Sequence, residues 1–223
     1  ERFLGRWLNR RSRVGLTVGS KWGYTYVADW DPDATIHEVK DHSLSALRRQ
    51  LGESRAELGN HLGLYQIHSV TPDSPVLDDA AVTGALNELR ATGVRIGLTT
   101  SGPEQANVIR RALELAVDGT LLFATVQATW NLLERSAGPA LDEAHDAGLG
   151  VIVKEALANG RLAGSDDRAD AAHLGGWPPD AVALAAAASQ PWADVVLSGA
   201  ATVDQLRSNL QACQVMSDLD AAV

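Results

Sequence analysis

Val151-Ile152-Val153-Lys154-Glu155 is apolar for three residues and then carries two opposite charges. A strand with one wet face alternates apolar and polar residues. A run that is apolar on both faces belongs to a parallel strand covered on both sides. Val195-Val196-Leu197, closing in Ser198-Gly199, repeats the pattern. Working outward from these two runs, strands are expected over 14–20, 62–68, 95–100, 123–130, 149–155 and 194–198. Helices are expected over 1–10, 42–57, 78–92, 103–115, 136–147, 178–189 and 202–213, with caps such as Asp79, Pro103 and Gly148 at their ends. Each strand is followed by a helix, which implies a parallel sheet with right-handed crossovers. Two closures stay open, a doubly wound sheet and a (β/α)8 barrel. Gly15, Gly19 and Gly23 do not have G-x-G-x-x-G spacing, which argues against a Rossmann dinucleotide site.

No break in composition divides the chain, so residues 1–223 are expected to form one domain. The formal net charge of −9 disfavours nucleic acid and anionic membranes as partners. No apolar run approaches the roughly 20 residues of a membrane helix. The opening Glu1-Arg2-Phe3-Leu4 lacks the basic and apolar regions of a signal peptide. The lone Cys213 forms neither an internal disulfide nor a zinc site, and with these features a cytoplasmic protein is expected. His37, His42, His61, His145 and His173 show no metal-ligand spacing, so no metal is expected and solvated or capping roles are. The glycine-containing stretch 159–177, with Asp166, Asp167 and Asp170, is expected to be a mobile loop.

In either closure function gathers at the C-terminal ends of the strands. Those ends are polar throughout. They read Ser20-Lys21-Trp22, Gln66-Ile67-His68, Thr99-Thr100-Ser101, Trp130-Asn131 after Gln127, Lys154-Glu155 and Ser198-Gly199. One such residue is ordinarily a surface cation or a satisfied histidine. Six polar ends in one sheet are a candidate site.

Five segments in this order resemble the aldo-keto reductase family. They are VGSKWG (18–23), LGLYQIHS (62–69), VQATWNLLERS (126–136), VIVKEALANGRL (151–162) and VVLSGAATVDQLRSNLQA (195–212). The resemblance implies a (β/α)8 TIM-type barrel, with the six β-α units here corresponding to strands three to eight. The first two strands, and an Asp-x-x-x-x-Tyr segment carrying the catalytic aspartate and tyrosine, would precede Glu1. The implied activity is NADP-dependent reduction of an aldehyde or ketone to an alcohol by hydride transfer, with a small carbonyl compound as substrate. NADPH is the expected cofactor and NADH is possible. The chain is expected to be inactive without that upstream segment. The alternative is a non-catalytic, nucleotide-binding or regulatory member of the same fold.

By the same resemblance, Lys21 would stabilise charge on the proton-donating tyrosine and His68 would orient the carbonyl. Thr99, Thr100 and Gln127 would hold the nicotinamide carboxamide. Ser198, Gly199, Thr202, Gln205, Ser208 and Asn209 would hold the pyrophosphate and adenosine, beside a helix start suited to phosphate. Lys154, Glu155 and Leu157 fall in the cofactor segment, and Lys154 stands where many members place a stacking aromatic. Ser208 replaces a common glutamate. Trp22 and Trp130 are candidates for the substrate pocket.

Overall fold

Helix α1 (Arg2–Asn9) and strand β1 (Val18–Trp22) open the chain, and two short strands, β2 (Tyr24–Tyr26) and β3 (Glu38–Lys40), follow as an antiparallel pair. The structure is a computed structural model that describes residues 1–10, 15–164 and 176–220. It divides into two compact units, one of Glu1–Glu104 with Arg111–Thr125 and one of Gln105–Arg110 with Val126–Val223.

In the first unit α2 (Leu44–Leu58) begins where the Ser43 hydroxyl accepts from the Ala46 N–H at 3.2 Å, and ends at Gly59, whose φ of 56° suits a residue without a Cβ. Its buried face carries Ala46, Leu47, Gln50, Ser54 and Leu58. Burying each leucine stabilises the unit by about 1.5–3 kcal/mol. Strand β4 (Leu62–Val70) follows, then α3 (Ala80–Ala91), capped by the Asp79 carboxylate on the N–H groups of Ala81 and Val82, then β5 (Arg95–Thr100). β4 lies between β1 and β5 and is parallel to both. The register places Lys21 opposite Gln66, and Trp22 opposite Ile67, which is itself opposite Leu98. In-register residues of parallel strands share a face. Trp22, Ile67 and Leu98 form a face with at most 1% exposure. Lys21 and Gln66 share the other. α4 (Gln105–Leu113) follows β5 and divides between the two units at Arg110. Strands β6 (Ala116–Val117) and β7 (Thr120–Leu121) close a hairpin through Asp118 and Gly119, whose φ angles of 53° and 75° make the two-residue turn that such hairpins favour.

The second unit holds β8 from Val126 onward (Thr125–Thr129), α5 (Gly138–Asp146), β9 (Gly150–Lys154), α6 (Pro179–Ala188), β10 (Val195–Val196), α7 (Val203–Leu210) and α8 (Ala212–Asp220). β9 lies between β8 and β10, and β10 is parallel to it with Val195 opposite Ile152. Val151 and Val153 have no exposed surface. α6 packs small, burying Ala181, Ala183, Leu184, Ala185 and Ala187.

The main strands and helices lie close to where the apolar patterning puts them, with β1 at 18–22 against the expected 14–20, of which residue 14 lies outside the described residues. The pairs β2–β3 and β6–β7 are additions. The helix expected over 202–213 is two helices that meet at Gln211. Residues 165–175 of the expected loop lie outside the described residues.

Candidate active site

Register shifts between Ile67 and Val70, so His68 and Ser69 form a bulge against β5. Ser69 takes a φ of 54°, and its N–H donates to the Thr99 hydroxyl at 2.7 Å. The bulge re-aims His68. Its ring meets the ring of Tyr24 edge-to-face at 4.9 Å, and its carbonyl oxygen accepts from Nε2 of His42 at 2.8 Å. His42 in turn lies edge-on to Trp22 at 5.7 Å. Burial lowers the pKa of His42, and the nearby Lys40 ammonium adds to the effect, while the bond to His68 and the Asp41 carboxylate oppose it.

Lys21 lines a polar cleft of about 250 Å³ with Tyr24, Tyr26, Arg49, Gln50 and Ser54. Tyr24 is therefore the side chain common to Lys21 and His68: it lines the cleft of one and packs on the ring of the other. Gln50 fixes that cleft, accepting from the Gly23 N–H at 2.9 Å and donating to the Tyr24 carbonyl at 3.0 Å. Thr99 and Thr100 are buried at the end of β5.

In the second unit one cavity of about 660 Å³ gathers Lys154, Glu155, Leu157, Ser198, Gly199, Gln205 and Asn209. Lys154 ends β9 with its ammonium 3.1 Å from Oε1 of Glu155. Oε2 of the same glutamate accepts from the Thr129 hydroxyl at 3.0 Å. Glu155, Ala158 and Asn159 all have positive φ, a strained conformation for side chains with a Cβ. The buried Asn131 amide holds this loop from below by donating to the Glu155 carbonyl at 3.0 Å.

Across the cavity wall, Nδ2 of Asn209 donates to both the carbonyl (3.2 Å) and the hydroxyl (2.9 Å) of Ser198. That clasp fixes the Gly199 turn, where φ is 66°. Thr202 and Gln205 form a capping box at the start of α7. Through it the Gln205 side chain accepts from the N–H groups of Ala201 and Thr202. Thr202, the cap of α7, and Ser208, within it, are outside the cavity lining, and Gln127 is buried in β8.

Trp22 and Trp130 are both buried, at 1% and 5% exposure. Trp22 packs against His42, and Trp130 against Trp192 at 5.6 Å. Residue patterning alone missed three participants. They are Tyr24, His42, for which a solvated or capping role is expected, and Asp180, which lines the cavity. Among the described residues no group of three or more His, Cys, Asp or Glu side chains could hold a metal, and no helix is long and apolar enough to cross a membrane.

The Aldo/keto reductase family profile matches residues 1–222. An uncharacterized oxidoreductase of Bacillus subtilis (strain 168), YrpG, is 25% identical over 252 residues, which cover 98% of this chain and 74% of that protein. Among solved structures, an aldo-keto reductase of Bacillus halodurans in its holo form matches with a TM-score of 0.71 at 20% identity, covering 98% of this chain and 77% of its own. The glycerol dehydrogenase of Gluconobacter oxydans matches with a TM-score of 0.70 at 21% identity, covering 93% and 69%. These structures share an α/β barrel fold with the strand–helix alternation described above, and the chain belongs to the aldo/keto reductase family.

Proposed function

We propose that the chain serves NAD(P)H-dependent reduction of a small aldehyde or ketone. Aldo-keto reductases as a family carry out NAD(P)H-dependent carbonyl reduction, and the observation that supports a working cofactor site is the shared cavity. Nine residues drawn from 154–157 and 198–209 line it together. The fit is chemical as well as spatial. The cavity offers a glycine turn that backbone can approach closely, a capped helix start, and the amides of Asn209 and Gln205. When bound, the dinucleotide supplies the hydride.

The residues of this chain bind, orient and stabilise. Asn209 and Ser198 hold the turn that meets the phosphates. Gln127, Thr99 and Thr100 are amide and hydroxyl partners for the carboxamide. His68 presents a ring N–H to a carbonyl oxygen, and Lys21 places a cation where charge develops on oxygen. Trp22 and Trp130 back the substrate side through the packing of their rings. A proton donor to the carbonyl oxygen is the remaining requirement of the reaction, and general acid catalysis contributes roughly 10²–10⁴-fold to it.

Calorimetric titration of nicotinamide dinucleotide into the wild type and Asn209→Ala tests the reading. Binding by the wild type and at least about tenfold weaker binding by the variant is expected, because the Ser198–Gly199 turn loses both hydrogen bonds. Equal affinity in the two would remove the cavity as the site. One observation favours a second reading, a nucleotide-binding member without turnover: the Lys154–Glu155 ion pair occupies the place where the resemblance expects a stacking aromatic. A chain carrying the upstream segment that binds dinucleotide yet oxidises none of it with a panel of aldehydes would establish that reading instead.

A further inference from the structure

The charges on the wall of the cavity do not balance. Lys154 is its one cation among the described residues, and Glu155 and Asp180 are both acids. Lys154 is already committed to Glu155 at 3.1 Å. Asp180 is 8% exposed and is held through one of its carboxylate oxygens. Its Oδ1 accepts from the Ser208 hydroxyl at 2.9 Å and from the Ala181 N–H at 2.9 Å. It also sits in the first turn of α6, where the aligned peptide dipoles favour negative charge. Arg207, the nearest basic residue of α7 in sequence, is paired with Asp204 at 2.8 Å, has a side chain 74% exposed, and takes no part in the lining.

The two nicotinamide dinucleotides differ by one phosphomonoester on the adenosine 2′-oxygen, a group carrying about −1.5 to −2 charges at pH 7. Receiving it in a partly dry cavity requires an unspent arginine or lysine. This wall offers a spent lysine and a fixed carboxylate. A carboxylate repels the phosphate and accepts from a ribose hydroxyl, so the same group acts against one dinucleotide and for the other. We propose that the cavity selects NADH over NADPH and that Asp180, held by Ser208, is the discriminating residue. The proposal rests on the reading of this cavity as the dinucleotide site, and it revises the NADPH preference that the family resemblance alone implies.

The test is calorimetric binding to the 223-residue chain, with no turnover involved. NADH is compared with NADPH, and 5′-AMP with adenosine 2′,5′-bisphosphate, a pair that differs only at the 2′ position. The wild type should favour the unphosphorylated member of each pair by about tenfold or more, as like-charge juxtaposition in a confined site demands. Asp180→Asn keeps an acceptor oxygen for Ser208 and Ala181 and should bring both ratios close to one. Tighter or equal binding of the 2′-phosphorylated ligands by the wild type overturns the selectivity, and this arm needs no variant to fold. A wild-type preference that Asp180→Asn leaves intact overturns the role of Asp180. Binding of none of the four ligands overturns the reading of the cavity itself, and the selectivity with it.

Discussion

Nε2 of His42 donates to the carbonyl oxygen of His68 across 2.8 Å, so the side chain of one histidine holds the backbone of another within a strand bulge. The bond fixes the tautomer of His42, with the proton on Nε2. It also makes a site residue depend on a titrating group 26 residues away in the chain.

That dependence has a sign. Burial, the largest cause, lowers the pKa of His42 in the folded chain below its ordinary value near 6.5. In the unfolded chain it titrates near that ordinary value. Between the two values the unfolded state binds more protons, so stability rises with pH across that window. The contribution of His42 is complete above about 6.5 and is lost as pH falls through the lowered value. Thermal unfolding between pH 7.5 and 5 should show the wild type losing more stability than His42→Gln, which keeps a donor for the His68 carbonyl and does not titrate. Parallel curves would remove His42 as the source.

Gly23 lies against the same ring. A Cβ on Gly23 would overlap the imidazole of His42, and its φ of 114° is one that L-residues rarely adopt. Both effects oppose substitution, and the ring cannot retreat without leaving Trp22 and the His68 carbonyl. Gly23→Ala is expected to cost about 2–4 kcal/mol in denaturant unfolding, whereas Gly52→Ala, with open space around it on α2, should gain about 0.5–1 kcal/mol from helix propensity. A neutral Gly23→Ala would mean that His42 is not held as described.

The sequence made some of this legible and hid the rest for physical reasons. β4 and β5 are read easily because most of their residues are buried, as in the 95–100 run, where Ile96 to Thr100 are all buried, and β9 because its Val151-Ile152-Val153 core is apolar with no residue exposed. β3 is invisible to the same reasoning, since Glu38, Val39 and Lys40 are all exposed and carry no period. The β6–β7 hairpin did have a signal, Asp118-Gly119, the dipeptide that suits positive φ at both turn positions. The cavity wall could be anticipated from 151–162 and 195–212 because the family motif spans both. Asp180 could not, because its partner Ser208 is 28 residues away and the alanine-rich segment around it looks like ordinary core helix. The ring of Trp130, a pocket candidate, packs edge-to-face on Trp192, a contact that no sequence period encodes.

Asn131 is a second place where one side chain supports the site. Its Oδ1 accepts from the N–H groups of Leu133 and Glu134 at 2.9 Å each, and its Nδ2 donates to the Glu155 carbonyl. At 2% exposure the partners left behind by Asn131→Ala would have little water to turn to. A loss of about 2–4 kcal/mol is expected, with weaker dinucleotide binding because Glu155 and the strained turn after it lose their tie. Unchanged binding at a reduced unfolding midpoint would separate the two effects and show the tie to be structural only.

Gln105 clasps a single residue of the second unit through both ends of its amide. Its Oε1 accepts from the Thr129 N–H at 3.0 Å and its Nε2 donates to the Thr129 carbonyl at 2.9 Å, so one amide replaces the two ladder bonds of a missing strand neighbour. Gln105 is 2% exposed, and Thr129 carries the hydroxyl that holds Glu155. Gln105→Met fills similar volume but leaves both backbone groups of Thr129 without that partner, at about 1–3 kcal/mol for each group denied water. The expected loss is about 2–4 kcal/mol by urea unfolding, seen as a lower midpoint at constant slope. Gln190 supplies the internal control. It also bonds backbone, donating to the Ala186 carbonyl at 3.0 Å, but it is less buried and makes a single bond within its own helix end. Gln190→Met should cost less than about 1 kcal/mol, the range of substitutions where water replaces the lost partner. Equal losses for the two glutamines would show that the paired geometry at Thr129 contributes nothing beyond an ordinary side-chain hydrogen bond, and the strand-mimicking role of Gln105 would fall.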